Sequence, residues 1–326
     1  MIHLDYVWVD GLDAPLVRSK TKIVPQLAGL PPEWNFDGSS TSQATTEDSE
    51  RVLQPVRLYR LSNTRAVVLC EVMYPDGRPH ETNHRRKLIE AIEANGADKG
   101  LWLGFEQEFF LTFNDNNILW NADGSEPVKD SRYYCSSGGP IKYRDLIGQF
   151  ADLCNFVDIP IVGYNTEVSP GQWEYQLFGD DPVSAADNFW VSRYLLQVSA
   201  EEYGLGIDWH PKPHEGWNGS GCHTNFSTTR MREQGGEDLF NEILKKASDL
   251  HSEHMEQFGP DNHLRMTGGF ETSDYSQFSA GVASRSTSFR IPSKTAETWT
   301  GYAEDRRPSS NCDPYRVVKC VFEYVT

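Results

Sequence analysis

Five separated segments of this chain set charged side chains inside apolar or glycine-rich surroundings: 104–110, 165–174, 218–223, 285–290 and 304–307. Desolvating an unpaired carboxylate is costly. Glu106, Glu108, Glu167 and Glu174 sit in strand-like runs, so any fold that accepts those runs must bring cations to them. Arginines in similar settings require an anion. Together they suggest divalent metal ions and an anionic substrate, most simply one that carries a phosphoryl group.

Glu106 and Glu108 lie two apart within Leu101-Trp102-Leu103-Gly104-Phe105-Glu106-Gln107-Glu108-Phe109-Phe110. On a strand that spacing puts both carboxylates on one face, where they repel unless a cation lies between them. An edge strand with a solvated acidic face is the alternative, but Phe109 and Phe110 continue the apolar run. Glu167 and Glu174 flank Pro170-Gly171. If those two residues make the turn of a hairpin, 169 pairs with 172 and Glu167 lands opposite Glu174. Pro-Gly favours a type II turn, whereas tight hairpins prefer primed turns.

His223 follows the flexible stretch Gly216-Trp217-Asn218-Gly219-Ser220-Gly221, whose backbone can approach a ligand closely. It is not a Walker motif, because no Gly-Lys-Ser/Thr follows. His251 and His254 stand at helical spacing beside Lys245, Lys246, Asp249 and Glu253, and read as part of a solvated helix with a structural role. Arg285 and Arg290 bracket Ser286-Thr287-Ser288-Phe289, and Arg306-Arg307 follow. The planar guanidinium suits carboxylate and phosphate because it binds two oxygens at once. Surface ion pairing is the alternative, weakened by the adjoining Ile291-Pro292.

The chain has 326 residues, enough for two domains or one large one. A formal charge of −17 disfavours nucleic acid and anionic membranes as partners. Six cysteines include no Cys-x-x-Cys pair, so zinc-ribbon and thioredoxin-like readings fail and reduced thiols are expected. No basic-then-apolar leader opens the chain, and no run of about 18 apolar residues occurs. A cytoplasmic enzyme is the expectation.

Strands are expected over 6–11 and 66–72, with a polar loop over 41–50 between them. Pro75-Asp76-Gly77-Arg78-Pro79 is strong turn punctuation, so the expected division is residues 1–80 and 81–326. Helical stripes follow at Leu88, Ile89 and Ile92; at Leu146, Ile147, Phe150 and Cys154; at Phe189, Tyr194, Leu195 and Val198; and at Leu239, Ile243, Leu244, Ala247 and Leu250.

The segments Trp34–Thr41, Gly104–Glu108, Asn165–Glu174, Asn218–Ser227, Arg265–Gly268, Arg285–Pro292 and Glu304–Pro314, in that order, resemble the glutamine synthetase family, in its eukaryotic-type (type II) branch. The resemblance implies an α+β fold. A small N-terminal β-grasp domain would precede a catalytic domain of curved antiparallel strands backed by helices. It further implies a homo-oligomer of two stacked rings, a decamer, with each site shared between neighbours.

Carried onto this sequence, the resemblance gives Glu108, Glu167 and Glu174 as ligands of one Mg2+ (or Mn2+) and Glu106, His223 and Glu304 as ligands of a second. Arg265 and Arg285 would clamp the carboxylate of L-glutamate, with Asn218 and Gly219 also touching substrate. Arg290 and Arg306 would face phosphate. Trp102, Ser227, Arg232 and Tyr302 would lie near ATP. Asp37 would bind ammonium and take its proton, and Glu271 would close the site as a flap. The implied reaction makes glutamine through a γ-glutamyl phosphate. Two alternatives remain: a γ-glutamylamide synthetase using an organic amine, and a non-catalytic relative. The chain departs from the family pattern at Phe270, at Ser136–Pro140 and at Gln176-Leu177-Phe178-Gly179.

Overall fold

The apolar run around residues 66–72 forms the middle of a first sheet. In the computed structural model, which describes residues 1–96, 98–114, 116–117, 127–129, 132–139 and 141–326, this sheet contains β1 (Ile2–Val9), β2 (Val17–Val24), β3 (Trp34–Asp37), β4 (Glu50–Arg60) and β5 (Arg65–Met73). The strand order is β2-β1-β5-β4-β3, with β1 and β5 parallel and the other neighbours antiparallel. Parallel strands need cover on both faces, and both faces of β5 are covered. Leu4, Tyr6, Leu53, Val68 and Val72 form a small core on one side. Val7, Tyr59, Val67 and Leu69 join the main core on the other. Glu71, a charge within that buried run, is met by Arg85 at 2.8 Å and Arg86 at 3.6 Å.

Helix α1 (His84–Ala94) follows, opened by Asn83, whose side chain accepts from the Arg86 amide. The second sheet is built from β6 (Trp102–Phe113), β7 (Asn116–Asn117), β8 (Ile161–Thr166), β9 (Gln172–Gly179), β10 (Gly206–Asp208), β11 (Cys222–Ser227), β12 (Ala280–Val282), β13 (Phe289–Ile291) and β14 (Ala303–Asp305). Its order is β12-β13-β14-β11-β6-β9-β8, and β7 and β10 also pair with β6. The pairing is antiparallel except between β12 and β13. Helices α2 (Arg144–Phe156), α3 (Pro182–Glu202), α4 (Thr229–Glu233), α5 (Glu237–Asp249), α6 (His251–Met255), α7 (Asn262–Arg265), α8 (Ser293–Thr298) and α9 (Pro314–Val325), with a 3₁₀ turn at Gly38–Thr41 after β3, complete the described elements. The expected α+β class holds. Among the described residues no helix is long and apolar enough to cross a membrane.

Helix α3 ties the two sheets together. Asp181 caps it by accepting from the Ser184 amide at 2.7 Å, and Pro182 occupies its first turn. It is buried nearly all round, through Ala185, Phe189, Trp190, Val191, Leu195 and Leu196. It touches β2 and β5 of the first sheet and β6, β9 and β10 of the second.

Two of the expected features differ in the structure. His251 and His254 do not face solvent; both are buried. Leu250 separates α5 from α6, but one amphipathic pattern runs through both: His251 and His254 lie on the buried face with Ile243 and Ala247, while Ser252 and Glu253 continue the exposed stripe of Lys245 and Asp249. The 167–174 hairpin has a different register. Asn165, not Glu167, lies opposite Glu174. The Pro170-Gly171 turn does form, with Gly171 at φ +76° and the Gln172 amide donating to the Ser169 carbonyl at 3.1 Å. However, the Glu167 amide donates to the Gln172 carbonyl at 3.0 Å, so 167 pairs with 172 and residues 168–171 form a four-residue loop that contains the Pro170-Gly171 turn. The slip is two residues, one full strand period, so Glu167 still shares a face with Glu174.

Candidate active site

Strand register assembles the site. Across β6 and β9, Glu108 lies opposite Glu174 and Glu106 opposite Gln176. Across β6 and β11, Glu106 lies opposite His223. Glu304 on β14 faces Asn225 on one side and Arg290 of β13 on the other. Residues directly opposite share a face, so five strands present one continuous polar stripe from Glu174 to Arg290. The reverse face of β6 and β9 holds Phe105, Phe109, Trp173, Tyr175 and Leu177, all in the main core. The polar face opens into a cleft of about 270 Å³, lined by all six expected metal ligands together with Glu271, Arg285, Arg290 and Arg306.

Within it, His223 Nδ1 lies 3.5 Å from Glu106 Oε2 and 3.7 Å from Glu304 Oε1. One donor atom from each of these three residues falls within 4.8 Å of the others. Burial, helped by Arg306, pushes the His223 imidazole well below its usual range, so the ring is neutral and can ligate. Glu108, Glu167 and Glu174 are less tightly gathered. Burial and then neighbouring glutamates raise Glu108 to about 8 and Glu174 to about 10, while burial raises Glu167 to about 7. Glu108 Oε2 accepts from the Gly221 amide at 2.9 Å and Gln172 Nε2 at 3.0 Å. Glu167 Oε1 accepts from Asn165 Nδ2 at 3.0 Å, and Gln176 donates to Glu174. Carboxylate oxygens with one neutral imidazole are the donor set of a hard or borderline divalent cation, so the residues present fit Mg2+ or Mn2+.

The arginines divide. Arg290 and Arg306 hold the two oxygens of Glu304 at 2.9 and 2.6 Å. Arg285 is half-exposed, 3.5 Å from both Glu271 Oε2 and the Tyr134 hydroxyl. Arg265 does not line the cleft. It is buried, donating to Asn262 Oδ1 and to the carbonyls of Arg306, Arg307 and Pro308 at 2.8–3.3 Å. The Asn218 and Gly219 carbonyls are taken by Ser169 Oγ at 3.1 Å and Gln172 Nε2 at 2.9 Å, and neither residue lines the cleft. A Cβ on Gly219 would fall 2.3 Å from the Pro211 carbonyl, which explains a glycine there.

Three of the four expected nucleotide-side residues meet at the start of β6. The Arg232 guanidinium stacks 3.8 Å over the Trp102 ring and donates to the carbonyls of Ser227 (2.6 Å) and Gly100 (2.8 Å). Ser227 Oγ donates to the Gly301 carbonyl, which places it beside Tyr302, the fourth. The Trp102 and Tyr302 rings are both exposed. Glu271 and Phe270 occupy an exposed turn with φ of +61° and +50°, and Lys212 Nζ lies 4.0 Å above the Phe270 ring. Asp37 ends β3 on the first sheet and does not reach this cleft within one chain. It accepts from Ser39 N at 3.0 Å and Ser39 Oγ at 2.6 Å, bonds that hold its exposed carboxyl below the usual range.

Sequence reasoning passed over Tyr134, Asn165 and Gln176, which line the cleft, and Asn225, which donates to Glu106 Oε1 at 2.8 Å. Strand alternation could have found Gln176, two residues from Glu174; Tyr134 had no such signal. Of the departing 136–140 segment, Pro140 lies outside the described residues.

Residues 82–259 match a family model described as the glutamine synthetase catalytic domain. A glutamine synthetase of Tuber borchii is 42% identical over 99% of this chain and 92% of its own length. One of Saccharomyces cerevisiae is 40% identical over 99% of this chain and 89% of its own. A solved Plasmodium falciparum glutamine synthetase overlays 100% of this chain and 72% of that one with a TM-score of 0.80; at 16% identity this is a likeness of fold.

Proposed function

Because the chain belongs to the glutamine synthetase family, we propose that its cleft ligates ammonia to the side-chain carboxylate of L-glutamate at the expense of ATP. The observation that carries this is the polar stripe running in register from Glu174 through Glu108, Glu106, His223 and Glu304 to Arg290. It sets acidic donors for divalent cations directly beside arginines suited to a phosphoryl group.

Glu106, His223 and Glu304 would hold one Mg2+ or Mn2+, and Glu108, Glu167 and Glu174 another. When bound, such ions would draw charge from the phosphoryl oxygens and leave the phosphorus open to attack by the glutamate carboxylate. Trp102, Ser227, Arg232 and Tyr302 receive the nucleotide. Arg285 grips the glutamate carboxylate, and Arg265 acts from beneath by fixing the 306–308 backbone. The γ-phosphoryl group passes to the glutamate side chain, giving an acyl phosphate and ADP, while Arg290 and Arg306 face the developing charge. Ammonium loses a proton to Asp37, the nitrogen attacks the acyl carbon, and phosphate leaves. Glu271 closes over the intermediate and excludes water.

Asp37 stands on the first sheet, so the reading includes an oligomer of two stacked rings, a decamer, in which Asp37 serves the neighbouring subunit's cleft. It also includes a domain boundary near residue 80 and a cytoplasmic location, which suits the six free cysteines. The test is phosphate release from ATP and glutamate with ammonium, hydroxylamine and a panel of amines. Asp37→Ala should lose about 10²–10⁴-fold with ammonium yet regain part of its rate with hydroxylamine, which is neutral near pH 7. Equal loss with both nucleophiles removes Asp37 from the ammonium site. Mixed oligomers of Asp37→Ala and Glu108→Ala subunits should recover activity that neither has alone; no recovery sinks the shared site. The exposed Phe270 ring beside Glu271 favours a second reading, an organic amine as acceptor. A wild-type preference for a bulky amine would replace the first reading with that one.

A further inference from the structure

A second group of metal-ligating side chains lies away from the cleft, where α6 meets α9. Cys320 and Glu323 are three residues apart on α9 and therefore share a helix face. His254 of α6 packs against that face, its ring 5.9 Å from Tyr324 and 6.0 Å from Phe258. One donor atom each from His254, Cys320 and Glu323 lies within 4.8 Å of the others. His254 Nε2 stands 3.0 Å from Glu323 Oε2, while its Nδ1 is buried with no partner. All three residues line a cavity of about 280 Å³. We propose that His254, Cys320 and Glu323 form a site for a thiolate-seeking divalent cation, Zn2+ before Mg2+.

The donor chemistry sets the choice. The catalytic cleft offers five carboxylates and one imidazole among its expected ligands, a set for hard cations. Here a thiol and an imidazole supply two of three donors, a set that favours Zn2+. With bonds of about 2.0–2.3 Å, donors on a tetrahedral Zn2+ stand roughly 3.5 Å apart. Small side-chain rotations would close the present spacing to that value. Lys319 pairs with Glu323 through Oε1 and leaves Oε2 turned to the site. The fourth position opens to the cavity, where a water can complete the shell. Binding exchanges the Cys320 thiol proton for the metal, so one proton is released to solvent. The bound ion would pin α6 to the C-terminal helix.

The test uses the full chain, freed of metal and then held in excess Mg2+, with Co2+ as the titrant. Co2+ bound to a thiolate absorbs in the near ultraviolet. Wild type should gain this band at about one equivalent and lose it when Zn2+ is added. Cys320→Ser should show no band and keep its ligase activity in Mg2+. Cys222→Ser should keep the band. Glu323→Gln should weaken Co2+ binding roughly tenfold or more; this partly exposed position leaves the proposal testable if Cys320→Ser fails to fold. Absence of the band in wild type, its survival in Cys320→Ser, or unchanged Co2+ affinity in Glu323→Gln each overturns the site.

Discussion

The two flanks of the cleft meet the same electrostatic demand in different ways. On the β14 side, Glu304 is nearly fully buried, but Arg290 and Arg306 hold its two oxygens. On the β9 side, the hydrogen-bond donors that meet Glu108, Glu167 and Glu174 among the described residues are all neutral: Gln172, Gly221 N, Asn165, Val168 N and Gln176. Burial raises all three above the usual carboxylate range. One flank carries its counter-charge in the fold. The other keeps its protons until a cation replaces them. The first suits a transferred anion and the second a metal, which is how one small cleft can bind both.

The largest effect should come from the cation-hungry flank. Glu174→Ala, and likewise Glu106→Ala beside it, should cut phosphoryl transfer by about 10³-fold while leaving the far-ultraviolet dichroism unchanged. Near wild-type phosphate release at limiting Mg2+ would erase the distinction between flanks. Next is Arg285→Ala. Loss of a two-point, charge-assisted contact should weaken glutamate by about 2–4 kcal/mol, tens to several hundred-fold, and ATP far less. An unchanged KM for glutamate would remove Arg285 from the substrate.

The smallest effect is a shift in thermal stability with pH. Glu108, Glu167 and Glu174 have folded pKa values raised above their unfolded ones. The metal-free fold therefore holds more protons than the unfolded chain above the ordinary carboxylate range. Its stability is fully present at low pH and declines as these groups ionise. Raising the pH from about 6 to about 9 should lower Tm without metal, and added Mg2+ should restore more of it at the higher pH. A metal-free Tm that rises over that interval would mean the β9 flank is already compensated.

Much of this contrast was legible in the sequence. Two-residue spacing within an apolar run put Glu106 and Glu108 on one face, and the face survived even where the hairpin register did not. The slip came from the loop: 168–171 connect the strands where 170–171 alone were expected, and residue type does not announce which carbonyl captures an amide across a turn. The burial of Arg265 was hidden for a related reason: its partners are backbone carbonyls at 306–308, some forty residues away. Burial of His251 and His254 was missed because the charges around them, Glu253 among them, mark only the solvated face of an amphipathic segment and say nothing of the other. Alternation along one strand is local; what covers it is not.

Helix α3 has a consequence for synthesis. The inner face of the first sheet, with Val67 and Leu69, is covered by an element that begins only at Pro182. Tyr59 donates to Asn188 at 3.0 Å, and Arg85 bridges Glu71 and Asp187. While the ribosome is still making the intervening hundred or so residues, that greasy face has nothing of its own to rest on. The emerging chain is then most vulnerable to sticking to its neighbours. Final closure waits for residues that leave the exit tunnel well after the first sheet is complete.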